Sequence, residues 1–459
     1  MQFFTPFYIA TDYYFNGAYR FYGENYSYLL NSQNGSSILL HNDFIRQIEE
    51  KNLDEELLFK LIQRGFVEIP NGLVSCCKEK ILPQFFIFDL TQACNFRCIY
   101  CFRHLEKHAA TITDKNIIDI SNYIIDYCKK NKLENICIQP WGGEPLLVFD
   151  KIKLMDDIFK SNGMTPLISI ETNGAIITEK IANEASGRNI RIGLSIDGYE
   201  EIQNKQRPLM NGEPSFSSLM RGINTLRKFD NLKDFGVVSV LTSINFPYLS
   251  EIIDFFAREL KIRCFKLNLV KDNPVMKDKG LCLNEFQICE SQKIVVKKLI
   301  ELNEQGYEIT ELNVHEKLMN LLLRANSNIC TSRGCMGGTK MIAFDQNGSI
   351  YPCDITDYKE ETIGSIHDSP DLIHLVEKAM QTKDFFNEKR KDECNDCPFR
   401  FFCKGGCTTA IKYKTGKVEG IDFQECTANK SLYNELINVI LCNPNAITPL
   451  TRGKVKLII

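Results

Sequence analysis

Nineteen cysteines in 459 residues, grouped at short fixed spacings, constrain this chain more than any other feature of its sequence. The count is odd and no secretory segment is in view, so a disulfide framework is a poor account and metal ligation a better one. The first group is Cys94-x3-Cys98-x2-Cys101. The second opens at Cys330 and Cys335, passes Gly348 and Cys353, and closes with Cys394-x2-Cys397-x5-Cys403-x3-Cys407 and Cys426. Three thiolates on one loop suit three irons of a cubane and leave the fourth iron without a protein ligand. Such an open iron can chelate the amino and carboxylate groups of a small molecule. A structural zinc loop is the rival, but it normally takes four nitrogen or sulfur ligands.

Between the two groups the chain alternates. FFIFDL, NICIQPW, LISIE, IRIGLSI, FGVVSVLT and FKLNLV are short apolar or β-branched runs. Stretches of helical period separate them, near 113–131, 147–161, 176–187, 215–229 and 248–261. Alternating βα units imply a parallel sheet with helical crossovers. Six units predict an α/β fold, a partial (β/α)6 barrel over residues 81–310, with its chemistry on the loops after the strands. Both Cys94–Cys101 and the run Trp141-Gly142-Gly143-Glu144-Pro145 fall on such loops.

Residues 1–80 read as a separate β-hairpin and helix module. YSYLLNSQNGSSILLH (26–41) predicts a hairpin turning at Asn34-Gly35. A helix follows, capped by Asn42 or Asp43. DEELLFKLIQRGFVEI predicts a second helix ending near Gly65 and a closing strand. Residues 284–326 read as two helices. Residues 311–440 form a C-terminal cysteine-rich domain, and 441–459 a tail of irregular structure.

The net charge of −3 gives no field pointing to nucleic acid or an acidic membrane surface. The first twenty residues hold no basic segment followed by an apolar run, and no apolar run approaches the roughly 20 residues that span a bilayer. A cytoplasmic protein is expected, with neither nucleic acid nor membrane as partner.

Cys94-x3-Cys98-x2-Cys101 after the first strand, with Gly142-Gly143-Glu144-Pro145 after the second, resembles the signature of the radical S-adenosylmethionine (SAM) superfamily. The resemblance implies a 4Fe–4S cluster on the three cysteines and SAM on its open iron. It makes Gly142, Gly143 and Glu144 contacts of the methionine ammonium. It places Asn173, in Glu171-Thr172-Asn173-Gly174, and Ser195, in Ser195-Ile196-Asp197-Gly198, on cofactor-lining turns. Arg221 resembles the arginine that pairs with the methionine carboxylate, and Arg207 is its rival. Tyr100 and Leu241 flank the adenine, or else pack in the core.

The second group resembles the SPASM domain of these enzymes, met from Cys335 through Cys426. That implies two further 4Fe–4S clusters and three in all. One is held by Cys394, Cys397, Cys403 and Cys426, the other by Cys330, Cys335, Cys353 and Cys407. Cys330 lies outside the seven-cysteine core of the pattern. Asp354, directly after Cys353, is a candidate general base, since anaerobic sulfatase-maturing enzymes, which the chain resembles over 84–430, have an aspartate there. A structural turn or a cluster-side hydrogen bond is the alternative for it.

The implied chemistry is reductive cleavage of SAM to a 5′-deoxyadenosyl radical that takes a hydrogen from a substrate. Two substrates compete. The N-terminal module resembles the winged-helix-like leader-binding domains of ribosomal-peptide maturases, which add a leader as an extra strand. A precursor peptide with a leader is therefore expected, with thioether or other cross-link formation, and a flavodoxin- or ferredoxin-type reductant. Formylglycine formation on a sulfatase cysteine or serine is the alternative. An iron–sulfur electron carrier needs neither an open site nor the Gly-Gly-Glu-Pro run.

Overall fold

A computed structural model describes residues 4–6, 17–50, 52, 55–66, 82–103, 110–325, 330, 335–354, 361–369, 371–386 and 392–457. The N-terminal module is an antiparallel sheet of β1 (Phe4–Pro6), β2 (Ala18–Tyr22), β3 (Tyr26–Asn31) and β4 (Ser37–His41), hydrogen-bonded in that order. The expected hairpin is β3–β4. Its turn is fastened by Asn31, whose Oδ1 accepts from Gln33 N at 2.8 Å, and Gly35 takes φ +71°. The sequence reading did not anticipate β1 and β2, which lie in an aromatic-rich stretch without period-2 alternation. Helices α1 (Asn42–Glu49) and α2 (Glu55–Gln63) follow. The cap of α1 is His41, whose Nδ1 accepts from Asp43 N, rather than Asn42 or Asp43. Asn42 is committed elsewhere, accepting from Ser27 Oγ at 2.7 Å and donating to Glu24 O at 2.9 Å. The closing strand expected near 66–69 falls mostly outside the described residues.

All six expected strands form. They are β5 (Phe85–Thr91), β6 (Cys137–Gly142), β7 (Leu167–Thr172), β8 (Arg191–Ser195), β9 (Gly236–Leu241) and β10 (Cys264–Leu269), parallel and adjacent in chain order. The crossovers carry α3 (Asp114–Asn131), α4 (Phe149–Ser161), α5 (Glu179–Gly187), α6 (Glu200–Gln206) with α7 (Phe216–Leu226), and α8 (Leu249–Asp254). The seven-residue α6 was not expected, being short and polar. The helix expected over 248–261 changes at Phe255 into a π turn. Each strand buries one face under the helices, as with Phe86, Phe88, Ile170, Leu194 and Phe265, all at most 1% exposed. The alternate face looks into the barrel and is largely polar: Asp89, Gln139, Trp141, Ser169, Glu171 and Lys266 are half-buried there.

The barrel does not close between β5 and β10. After α9 (Pro274–Asp278) and α10 (Glu285–Glu304), β11 (Thr310–Glu311) lines up on β10. After α11 (Leu312–Leu323), β12 (Met341–Phe344) lines up on β5, followed by antiparallel β13 (Ser349–Tyr351) and β14 (Gly364–Ser365). One ten-stranded sheet thus continues from the barrel into the cysteine-rich segment. The rest is helical: α12 (Leu372–Thr382), α13 (Arg400–Cys403), α14 (Thr408–Thr415), α15 (Phe423–Cys442) and α16 (Ile447–Leu450). The tail expected to be irregular is instead a pair of helical turns. Pro444 sits in the first turn, where its fixed φ is suited, and Ile447 and Leu450 are buried at 0% and 1% exposure.

The N-terminal module shares the main apolar core. Phe21 stacks on Phe399 at 5.9 Å between ring centres, and Phe399 on Tyr433 of α15 at 4.8 Å. The last turn of α11 leaves the Leu321 carbonyl without a helical partner. Two hydroxyls of the module take it up, Tyr28 Oη at 2.8 Å and Ser37 Oγ at 2.5 Å.

Candidate active site

Cys94, Cys98 and Cys101 leave the end of β5 on one loop. Its backbone is strapped to the segment after α6: Arg97 N donates to Pro208 O at 2.9 Å, Ile99 N to Gln206 O at 3.0 Å and Met210 N to Asn95 O at 2.9 Å. Phe96 N donates to Cys94 Sγ at 3.3 Å. Burial pushes the Cys94 thiol up to about 11 and Cys98 up to about 12, and the Arg207 guanidinium pulls against both shifts. A ligating thiol must lose its proton, so burial here disfavours an empty, ionised site and Arg207 favours it. Among the described residues no three His, Cys, Asp or Glu side chains are gathered closely enough for a lone metal ion. The fit to a cluster rests on the donors: sulfur only, three on one loop, one already taking a backbone N–H.

The Gly-Gly pair packs against this loop. Gly143 N donates to Thr91 O at 2.7 Å and Glu144 N to Ala93 O at 2.9 Å. A Cβ on Gly142 would stand 2.3 Å from Thr91 O, and one on Gly143 2.2 Å from Ala93 O. Close backbone approach therefore explains both glycines within the protein itself. Glu144, expected to supply charge near the cofactor, is only 1% exposed and holds the strand ends together. Its Oε1 accepts from Thr172 Oγ1 at 2.7 Å and Leu146 N at 3.0 Å, and its Oε2 from Asn173 N at 2.9 Å. Burial raises its carboxyl, and these three bonds partly offset the rise. Asn173 in turn donates from Nδ2 to Asn95 Oδ1 at 2.7 Å, inside the cysteine loop.

Asp197, fully buried just after β8, joins three more segments. It accepts from Tyr100 Oη at 2.5 Å and Val240 N at 2.9 Å, and pairs with Arg207 Nε at 2.9 Å. The Arg207 guanidinium also lies 5.3 Å from the Tyr100 ring centre. The structure separates the two candidate arginines. Arg221 is exposed on α7 and donates to Ser218 Oγ at 2.9 Å, whereas Arg207 is 7% exposed beside the cysteines. Of the two, Arg207 is the one placed beside the cysteine loop. Ser195 is half-buried at the end of β8. Leu241 is wholly buried, and its carbonyl accepts from Val270 N at 2.9 Å. Tyr100 packs with Val270, Met276 and Leu281. The sequence reading missed the structural weight of Asp197, quoted only as part of a turn. It also missed Gln203 and Asn245, which bond the Asp197 backbone.

The later cysteines fall into two neighbourhoods. Cys397 and Cys426 both feel the charge of Cys394, and Cys397 that of Cys403. Cys330 feels Cys335 and Cys407, and Cys353 Sγ lies 3.7 Å from Thr409 Oγ1, two residues past Cys407. Asp354 stands by Arg103, which donates to the Asp354 carbonyl at 3.4 Å and grips both oxygens of Asp89 at 2.9 Å. Burial raises the Asp354 carboxyl and Arg103 opposes the rise.

Residues 88–256, from the first strand past the sixth crossover helix, match the radical SAM superfamily. That stretch is a radical SAM domain. Two sequence relatives show the range of the match. An uncharacterised protein of Methanocaldococcus jannaschii is 37% identical over 174 residues, 37% of this chain and 57% of that protein. A cysteine-type anaerobic sulfatase-maturating enzyme of Clostridium perfringens is 25% identical over 370 residues, 76% of this chain and 96% of the relative. Among solved structures, anSMEcpe with bound AdoMet aligns over 78% of this chain and 99% of its own, with TM-score 0.65 and 21% identity. Streptococcus suis SuiB bound to precursor peptide SuiA aligns over 90% and 98%, with TM-score 0.52 and 15% identity. At those identities the two structures establish the fold alone. No described helix is long and apolar enough to cross a membrane.

Proposed function

We propose that this chain is a radical SAM enzyme that matures a ribosomally made precursor peptide, forming a thioether or another cross-link. The observation that carries the reading is the N-terminal sheet, bonded through Tyr28 and Ser37 to the end of α11, from which the chain runs on to Cys330. Its outer strands β1 and β4 are edges to which a leader segment can pair. SuiB, whose structure holds a precursor peptide, aligns over 90% of this chain, against 78% for the sulfatase maturase.

Cys94, Cys98 and Cys101 would hold one 4Fe–4S cluster. Cys394, Cys397, Cys403 and Cys426 would hold a second, and Cys330, Cys335, Cys353 and Cys407 a third. When bound, the first cluster and SAM together supply a 5′-deoxyadenosyl radical for hydrogen abstraction. The chain's own part is positioning. Asn173 and the Gly-Gly turn fix the cysteine loop against β6 and β7. Arg207, buried beside the thiols, offers the cationic contact for a carboxylate there. Asp354, beside Arg103, would accept a proton from the substrate in its ionised form. A flavodoxin- or ferredoxin-type protein would deliver the electron, in the cytoplasm.

Formylglycine formation in a sulfatase is the second reading, favoured by the 25% identity to the C. perfringens enzyme across most of both chains. One experiment separates them. The anaerobically reconstituted enzyme is given SAM, dithionite and, in turn, the product of any short cysteine-rich reading frame found beside its gene and a synthetic sulfatase-type cysteine peptide. A two-hydrogen loss with carbon–sulfur fragmentation in the first supports cross-linking. An aldehyde in the second reverses the ranking.

A further inference from the structure

Glu171, the penultimate residue of β7, turns its side chain into the barrel. Its Oε2 is buried with no hydrogen-bond partner among the described residues, and the Lys266 charge acts on it. An unpaired buried carboxyl is costly and calls for an explanation. The sheet has made room for it. A Cβ on Gly193 would lie 2.5 Å from Glu171 Oε2 and 2.6 Å from Oε1. Gly193 is the register partner of Gly236 on β9, and a Cβ on Gly236 would meet nothing within 4 Å. The carboxyl thus covers Gly193 itself, and beside it the wall over Gly236 is open.

Lys266 borders the same open wall from β10, in register with Val238, two residues along from Gly236. It forms no ion pair among the described residues, although its charge reaches Glu171, Glu311 and Cys330. An acceptor and a donor thus face one glycine-floored gap without meeting each other. A peptide unit offers an N–H and a C=O pointing in opposite directions, and a floor without Cβ atoms lets a main chain come close.

We propose that Glu171 and Lys266 grip a main-chain peptide unit of the substrate, laid over Gly236 inside the barrel. The proposal rests on the substrate being a peptide and adds that this contact reads backbone rather than side chain.

The test uses the full-length, cluster-loaded enzyme with SAM and the probe acetyl-Gly-Gly-Cys-Gly-Gly-amide, followed by equilibrium dialysis. A charge-assisted hydrogen bond predicts that Glu171→Ala weakens binding by about tenfold or more, and Glu171→Gln, which keeps an acceptor, by less. Lys266→Met, on a different strand, should weaken it comparably and serves if Glu171→Ala fails to fold. Among probes N-methylated at single positions, one should bind the wild type poorly yet lose nothing further in Glu171→Ala. Equal affinity of wild type and Glu171→Ala, equal N-methyl penalties in both, or no binding of the probe to the wild type would overturn the proposal. The peptide-substrate reading fails separately, if the probe binds but no peptide changes mass on turnover.

Discussion

Tyr100 donates its hydroxyl to Asp197 at 2.5 Å across 97 residues of sequence, tying the cysteine loop to the end of the fourth barrel strand. Arg207 completes the set, paired with the same carboxylate at 2.9 Å. Asp197→Asn leaves a buried guanidinium without its counterion, which costs about 3–5 kcal/mol. Tyr100→Phe removes one hydrogen bond and should cost about 1–2 kcal/mol. Thermal unfolding of the two variants checks the order. Equal losses would mean that Asp197 does not carry the junction.

Gly143→Ala is expected to disrupt the cysteine loop. The added methyl would sit 2.2 Å from Ala93 O, a backbone atom that cannot swing aside. Iron and sulfide content after anaerobic reconstitution should fall well below wild type. Full cluster content in this variant would show that β6 and the loop are not locked as described.

Glu171 makes stability depend on pH. Burial raises its carboxyl from 4.5 to about 7, with Lys266 opposing the rise. A raised acid binds its proton more tightly in the folded chain than in the unfolded one. Its favourable contribution is therefore full below about 4.5 and is lost as pH climbs through about 7. Glu171→Gln should match wild type in melting temperature at pH 4 and exceed it at pH 8. A gap that is constant with pH would contradict this.

Tyr28 and Ser37 share the Leu321 carbonyl, so either hydroxyl alone keeps that acceptor satisfied. Tyr28→Phe or Ser37→Ala singly should cost about 1 kcal/mol. The double variant should cost more than the sum, because it strands a buried carbonyl. Chemical denaturation of the four proteins measures the excess, and strict additivity would count against a shared bond.

The barrel was legible because each of its strands is a short β-branched or aromatic run flanked by helical period, from Phe85–Thr91 to Cys264–Leu269. The cysteine loop and the Gly-Gly turn were legible from residue type at fixed spacing. Long-range pairing was not. Nothing local in the sequence says that Glu144 bonds Thr172 and Asn173, or that Asp197 bonds Tyr100, because such partners are chosen by the register of the strands that carry them. Arg207 and Arg221 looked alike in sequence, and burial alone tells them apart. The strands β1 and β2 lack alternation, and the tail at 444–450 is helical because tertiary burial of Ile447 and Leu450 outweighs a turn-rich composition.

Cys94, Cys98 and Cys101 would hold a cluster with one iron open to SAM. Formation of 5′-deoxyadenosine, by anaerobically reconstituted protein supplied with SAM and dithionite, tests it most directly. Wild type should form it, Cys394→Ala should still form it, and Cys98→Ala should form none. Cleavage that survives Cys98→Ala, or zinc found in place of iron and sulfide, would contradict the account.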